Sequence, residues 1–284
     1  MNILNIFSEI EKVDPEVYER FDSRRQVFKY MSGFGKKLAA AAVPVAFGAV
    51  FNKAYGQTGN NADIIAILNF ALTAELTDST YYGKVLAANS PDLPAEAKAG
   101  LQIIFDNEKG HVATLQKAIT DLGGTPITID EARLDYTAGG KVPDPFTNYA
   151  TILALGQAFE DTGVRAYKGQ APKPALMNNN AVLQTALQIH SAEARHAAYF
   201  RRMRRMSQNQ EANKPWITGN NRGGLPEFAQ AVYAGEEATT QANVNIASIV
   251  AGTVASEAFD EPLEMAQVIA ILNNFFKEGQ KLPG

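Results

Sequence analysis

The sequence has no cysteine in its 284 residues. This absence excludes disulfide bonds, thiolate-held metals and iron–sulfur clusters, and cysteine nucleophiles, and it leaves the redox compartment undetermined. Any bound metal must therefore be held by carboxylate and imidazole groups. Such a set of donors favours iron, manganese or zinc over copper(I).

Basic patches and long apolar runs are also scarce. The net charge is −4 and no basic stripe is present, so the sequence predicts no binding of nucleic acid. One basic cluster, Arg201, Arg202, Arg204 and Arg205, falls where a helix should end. We expect a solvated terminus there, because cations oppose the negative end of the helix dipole. The apolar run 38–51 has about 14 residues, too few for a comfortable membrane span.

The N-terminal segment, 1–56, resembles an export signal. Its stretch 23–29 reads Ser-Arg-Arg-Gln-Val-Phe-Lys, which is similar to a twin-arginine translocation motif. The apolar run follows, and positions 54–56 (Ala-Tyr-Gly) supply small side chains before a possible cut ahead of Gln57. These features predict export to the periplasm or the cell surface. The alternative is a retained N-terminal helical extension or anchor, the one segment expected to contact a membrane, on a protein that stays in the cytoplasm.

Four long helical patterns follow and predict an all-α protein. They run from about residue 62 to 88, 94 to 122, 145 to 168 and 181 to 206, with apolar residues at helical spacing. The third is expected to open at Asp144-Pro145. About five residues link the first two helices, and the Gly- and Pro-rich residues 123–145 form a long crossover. Residues 57–210 should therefore form a four-helix bundle of two antiparallel hairpins.

Residues 211–284 are expected to form a helical extension that packs on the bundle. Helical stretches are predicted near residues 226–235 and 262–277, the second with a cap at Asp260. The acidic pair Glu236-Glu237 is assigned to capping and surface roles.

Two of the three histidines lie three residues after a glutamate, in Glu108-x-x-His111 and Glu193-x-x-His196. On a helix, residues i and i+3 share one face, so the carboxylate and the imidazole of each pair can reach the same ion. Both pairs are therefore candidate metal ligands.

An internal repeat adds one glutamate to each pair. The interval from Glu75 to Glu108 equals the interval from Glu160 to Glu193, so the second half repeats the first at a constant offset. All four lie on apolar stripes, and buried, unpaired carboxylates are costly. Two divalent cations would balance the four negative charges. The alternative is an empty set of hydrogen-bonded carboxylates.

The pattern Glu, Glu-x-x-His, Glu, Glu-x-x-His over residues 61–206 resembles the ferritin-like di-metal carboxylate superfamily. The chain is most similar to the group that includes desiccation-related proteins, on residues 71–75 (Ala-Leu-Thr-Ala-Glu) and 258–263 (Ala-Phe-Asp-Glu-Pro-Leu). The resemblance implies a ferritin-like four-helix bundle that holds two iron or manganese ions. It implies two terminal glutamates, two bridging glutamates and one histidine for each ion: Glu75 and Glu160, Glu108 and Glu193, His111 and His196.

Further polar side chains surround these positions. Tyr82 and Tyr167 are related by the repeat and are expected to hydrogen-bond a ligand or to donate single electrons, with plain core tyrosines as the alternative. Asp78 is expected to be solvated or hydrogen-bonded, with an additional catalytic acid as the alternative, and Asp161 is expected to be structural. His190 is expected to be a core residue or to support a ligand rather than to bind metal.

The resemblance implies redox chemistry with dioxygen or peroxide, such as ferrous oxidation or peroxide removal under stress. Because cysteine is absent, a rubrerythrin with its own electron-transfer domain is excluded. The alternative is a non-catalytic structural or stress-related protein that metal stabilises, and association into homo-oligomers is expected. Iron storage in a spherical cage ranks third, because the long C-terminal extension has no place in an ordinary ferritin shell.

Overall fold

The computed structural model describes residues 61–208 and 213–283. Four long helices dominate these residues: α1 (Asn61–Ala88), α2 (Ala95–Asp121), α3 (Tyr149–Gln170) and α5 (Asn180–Ser207), with the short α4 (Pro174–Met177) between the last two. No helix within the described ranges is both long enough and apolar enough to cross a membrane. The expected export signal at 1–56 lies outside the described residues.

The long helices pair into two hairpins. Helix α1 packs against α2, and α3 packs against α5, with residues 122–148 as the crossover between the pairs. Helix α2 ends at Gly123, whose φ of +84° lies in the left-handed region that glycine tolerates. The amides of Gly123 and Gly124 donate to the carbonyls of Thr120 and Ile119, both at 2.9 Å, and close the helix end. The all-α bundle with a long crossover is confirmed.

Helix α3 begins later than the sequence predicts. Asp144 has a φ of +49°, and its carbonyl accepts from the amide of Asn148 at 3.1 Å, so Asp144-Pro145 forms a turn before the helix. The cap is Asn148, whose Oδ1 accepts from the amide of Thr151 at 3.0 Å. The expected start at Asp144-Pro145 is therefore wrong by one turn.

The part of the chain after the bundle is built from short elements. It contains a 3₁₀ turn at Glu227–Val232, strands β1 (Thr240–Gln241) and β2 (Val244–Asn245), a 3₁₀ turn at Ile246–Ser248, helices α6 (Gly252–Glu257) and α7 (Met265–Leu272), and a 3₁₀ turn at Asn273–Phe275. The two strands pair antiparallel, with Thr240 opposite Asn245. Less of this part is helical than expected.

Helix α7 begins after the predicted position because the preceding segment is bound to α3. The amide of Leu263 donates to the carbonyl of Arg165 at 3.0 Å, which keeps this stretch extended. The cap is Glu264, which exchanges hydrogen bonds with Gln267 in a capping box. The expected cap at Asp260 is wrong.

The bundle and the C-terminal part share one hydrophobic core. The rings of Phe159 in α3 and Phe275 lie 4.7 Å apart between centroids. The crossover also contacts the C-terminal part, since the amide of Asp135 donates to the carbonyl of Phe275 at 2.8 Å. The extension is therefore part of the same packed unit as the helices that position the site.

The arginine cluster at the end of α5 is only half solvated. Arg202 and Arg205 are exposed, but Arg201 and Arg204 are each only 2% exposed. Arg201 donates to both carboxylate oxygens of Asp161, at 3.1 and 2.5 Å. The hydroxyl of Tyr233, from the extension, donates to the same carboxylate at 2.6 Å. The expectation of a fully solvated terminus is wrong, whereas Asp161 is structural as expected.

Glu236 also differs from its expected surface role. It is 1% exposed, and its Oε1 lies 2.7 Å from Nε of Arg165. Arg165 also donates to the carbonyls of Ala234 and Glu261, both at 2.8 Å. This buried pair binds the extension to α3.

We expect the Arg201→Ala variant to lose about 3–5 kcal/mol of the free energy of unfolding, because it leaves the buried carboxylate of Asp161 without its cation. Arg202→Ala, one residue along and exposed, is the matched control and should change the value by less than about 0.5 kcal/mol. Chemical denaturation followed by circular dichroism measures both. Equal effects in the two variants would contradict the buried pairing.

Candidate metal centre

Each long helix carries one glutamate of the repeat into the centre of the bundle. Glu75 lies in α1, Glu108 in α2, Glu160 in α3 and Glu193 in α5. None of the four is more than 2% exposed. Four buried carboxylates therefore face one another in an apolar interior, which is unstable unless protons or cations balance their charge.

The ligand atoms fall into two overlapping sets of four residues. One set is Glu75, Glu108, His111 and Glu193, and the other is Glu108, Glu160, Glu193 and His196; within each set the atoms lie within 4.8 Å of one another. Glu108 and Glu193 belong to both sets. Two of the four carboxylates are therefore common to both sets of candidate ligands.

Both histidines point Nδ1 into the cluster. Nδ1 of His111 lies 3.2 Å from an oxygen of Glu75 and 3.2 Å from an oxygen of Glu193. Nδ1 of His196 lies 3.0 Å from Glu108 and 3.1 Å from Glu160. Each imidazole therefore faces the carboxylates of one ligand set, as the repeat predicts.

The two tyrosines of the repeat make crossed contacts between the halves. The hydroxyl of Tyr82, in α1, donates to Oε1 of Glu160 in α3. The hydroxyl of Tyr167, in α3, donates to Oε1 of Glu75 in α1, at 2.5 Å. Each terminal glutamate is thus held by a tyrosine from the opposite hairpin, which fixes the carboxylate in orientation.

Burial and mutual repulsion make the shared carboxylates hard to ionise together. Burial, with the charges of Glu75 and Glu160, raises the pKa of Glu108 well above its usual value. Burial, with the charges of Glu108 and Glu75, raises the pKa of Glu193 likewise. These two groups therefore take up protons more readily than isolated glutamates.

The two histidines and Glu75, which flank the shared carboxylates, behave in the opposite way, because their pKa shifts favour the charged form. Burial alone would lower the pKa of His111, but the carboxylate of Glu75 and hydrogen bonds to its neighbours raise it above its usual value. Burial likewise opposes the charge on His196, and the carboxylate of Glu160 raises its pKa. Burial would raise the pKa of Glu75, but His111 lowers it. Protons on some of these groups therefore offset part of the negative charge of the metal-free cluster.

The oxygen atoms at the centre fit a cation better than they fit the protein. Oε1 of Glu108 and Oε1 of Glu193 lie 3.0 and 3.2 Å from an imidazole Nδ1, but neither oxygen of Glu108, nor Oε1 of Glu193, makes a well-aligned hydrogen bond among the described residues. Gly163 makes room for this arrangement, because a methyl group at position 163 would overlap the carboxylate of Glu193. Carboxylate oxygens and imidazole nitrogens are the donors that iron, manganese and zinc accept.

Of the remaining polar side chains, Asp78 differs from expectation and His190 agrees with it. Asp78 is 4% exposed, and its Oδ1 has no partner in the described parts of the chain, so it is neither solvated nor fully hydrogen-bonded. His190 belongs to neither ligand set, and its Nδ1 lies 2.9 Å from the carbonyl of Val164. Asn107, which sequence reasoning missed, places Oδ1 3.2 Å from Nε2 of His196. Its position next to Glu108 in sequence was the only signal available.

Comparison with known proteins agrees with this geometry. A protein-family model described as a ferritin-like domain matches residues 63–206, about half of the chain. That range contains all six residues of the two sets. No curated protein and no solved structure matches this chain.

Proposed function

The chain belongs to the ferritin-like domain family, and from this membership we propose that it holds two iron or manganese ions and performs redox chemistry with dioxygen or peroxide. The observation that carries the proposal is the pair of overlapping ligand sets that share Glu108 and Glu193. When bound, two redox-active ions side by side supply two-electron chemistry that single side chains cannot.

Some side chains would bind the ions, and others would orient the side chains that bind them. Glu108 and Glu193 would bridge the ions, while Glu75 and Glu160 would each bind one. The hydroxyls of Tyr82 and Tyr167 would hold the terminal carboxylates in place. The apolar surroundings would exclude water and strengthen every charge interaction in the site.

The proposal is tested by adding hydrogen peroxide to manganese-loaded protein, and oxygenated buffer to ferrous-loaded protein. Peroxide loss or oxygen consumption that needs the bound metal is the expected result. Protein in which both shared glutamates are replaced by glutamine is the control for free metal. If the loaded protein is no faster than the same metal in buffer, the site is not catalytic.

The Tyr167→Phe variant should bind one of the two ions about 10- to 100-fold more weakly, because it loses the hydroxyl that orients Glu75. Tyr82→Phe should do the same for the other ion through Glu160. Tyr81→Phe is the matched control, since its hydroxyl donates to the carbonyl of Pro145, outside both ligand sets. Isothermal titration with Mn²⁺ measures the affinities, and equal values in all three variants would contradict the role of these hydroxyls.

A non-catalytic role in assembly is the second candidate, and one observation favours it. Trp216, Val244, Ile249 and Val254 of the extension expose 48–69% of their surface. Several exposed apolar side chains in one part of a chain are typical of contact with other copies. Sedimentation of the full chain with and without metal tests this: a metal-dependent oligomer without peroxide or oxygen chemistry would favour assembly.

The cellular setting is also a proposal. The motif in residues 23–29 supports export, and residues 71–75 and 258–263 support kinship with desiccation-related proteins. A stress-protective role outside the cytoplasm would follow. Mass spectrometry of protein from its own source tests export, since a mature chain should begin near Gln57.

A further inference from the structure

The bundle interior contains a cavity on one side of the metal cluster. It is lined by the first halves of α1 and α5 and by the last parts of α2 and α3, and Glu75, Asp78 and Glu193 border it. Its volume is about 20 Å³, measured as the space open to the centre of a water-sized molecule. Since about 10–15 Å³ by that measure holds one water, the cavity suits a molecule of one or two heavy atoms.

Gln170, the last residue of α3, lies in the lining of this cavity. It is 4% exposed, and neither its Nε2 nor its Oε1 has a hydrogen-bond partner among the residues that the structure describes. A buried amide without partners destabilises the fold. The internal repeat shows that an apolar residue suits the equivalent place, since the counterpart of Gln170 is the buried Val85. Packing alone therefore does not account for an amide at this position.

The chemistry of the amide restricts what it can recognise. Nε2 donates hydrogen bonds and Oε1 accepts them, so the best occupant both accepts and donates. Hydrogen peroxide and water do both, whereas dioxygen has no hydrogen to donate, so between the two oxidants the amide favours peroxide. The rest of the lining is mostly apolar and disfavours ions.

A second polar group lies at the border with the cluster. Asp78 is buried and also lines the cavity, and its Oδ1 has no partner in the described ranges. The repeat places Gly163 at the equivalent position, so only one side of the cluster carries this group. The cavity is thus mostly apolar, with Gln170 and Asp78 as buried polar groups of its lining that have unpartnered atoms.

We propose that this cavity admits hydrogen peroxide to the metal centre and that Gln170 is the residue that recognises it. The inference rests on the proposed function, and it selects peroxide over dioxygen as the molecule that the protein takes up. Gln170 would bind the incoming molecule, and Asp78 would receive it beside the carboxylates.

The test compares full-length wild type with Gln170→Leu and with the control Gln184→Leu, an exposed glutamine of α5. For manganese-loaded Gln170→Leu, kcat/KM for hydrogen peroxide should fall about 10- to 100-fold, the effect of losing two hydrogen bonds. Its metal content and the rate of oxygen consumption by its ferrous form should stay within about twofold of wild type. The control should match wild type in every measurement.

Thermal unfolding of the metal-free variants separates recognition from a structural role. Because Gln170→Leu removes two unpartnered polar atoms, its melting temperature should rise by about 3–8 °C. A lower melting temperature, or an unchanged kcat/KM for peroxide, would overturn the inference. Equal losses for peroxide and dioxygen would also overturn it.

A binding measurement keeps the inference distinct from the proposed function. Zinc-loaded crystals are redox-inert, and after soaking in hydrogen peroxide the wild type should show two-oxygen density beside the amide of Gln170. If this density appears but no metal-loaded form turns over peroxide or dioxygen, the binding of peroxide in the cavity is supported and the proposed redox function is contradicted. Density for water alone, or none in the cavity, would overturn the inference.

Discussion

Two equivalents of Mn²⁺ are expected to raise the free energy of unfolding by about 5–8 kcal/mol when each ion is present at 100–1,000 times its Kd. For a chain of this size the melting temperature should rise by about 15–25 °C. The reason is electrostatic, since two cations balance the charge of four carboxylates that burial otherwise makes costly to ionise together. Differential scanning calorimetry with and without metal measures the shift.

The sign of the pH dependence follows from the raised pKa values. Groups whose pKa is raised by folding stabilise the metal-free protein at low pH, and that contribution is lost as the pH rises. Metal must displace the protons of Glu108 and Glu193 and those of the two histidines. The gain in the free energy of unfolding on metal binding should therefore grow as the pH rises, and metal binding should release protons.

Mg²⁺ at the same concentration is the control, because it prefers oxygen ligands and gives up its waters reluctantly. It should shift the melting temperature far less than Mn²⁺, and a chelator should reverse the Mn²⁺ effect. An equal shift with both ions would indicate general screening rather than this site. No shift with manganese, ferrous iron or zinc would contradict the metal centre.

Replacement of a shared carboxylate should remove both ions, whereas replacement of a terminal one should remove one. Glu108→Gln is expected to lower the metal content from about two ions per chain to nearly none, because Glu108 belongs to both ligand sets. Glu75→Gln should retain about one ion, held by the set with Glu160. Elemental analysis of dialysed protein after loading gives both numbers.

Glu96→Gln is the matched control, an exposed glutamate on the same helix as Glu108. It should retain both ions. The metal-free Glu108→Gln protein should keep the helical circular dichroism of wild type, because His111 still pairs with Glu75 and His196 with Glu160. A Glu108→Gln protein that still binds two ions tightly would contradict the shared position.

The convergence of these six side chains was predictable from sequence because the information that encodes it is local and repeated. The spacing in Glu108-x-x-His111 puts both groups on one helix face, and the interval from Glu75 to Glu108 fits one helical hairpin with its turn midway. The second half of the repeat then shows the same spacing, which strengthens the prediction. The crossed contacts of Tyr82 and Tyr167 follow the same repeat.

The polar groups that sequence reasoning misplaced depend on distant partners. Arg201 and Arg165 are buried because the extension covers them with Tyr233 and Glu236, which come from a much later part of the chain. No periodicity encodes such a pairing. Gln170 lies at a helix end, where a polar residue is usually solvated. Its burial beside a cavity is visible only in the structure.

Anomalous diffraction from crystals of manganese-loaded protein tests the shared-carboxylate centre most directly. Two peaks should appear, one within each four-residue set, with the carboxylates of Glu108 and Glu193 between them. A single peak, peaks outside the bundle, or none at saturating manganese would contradict a two-metal site.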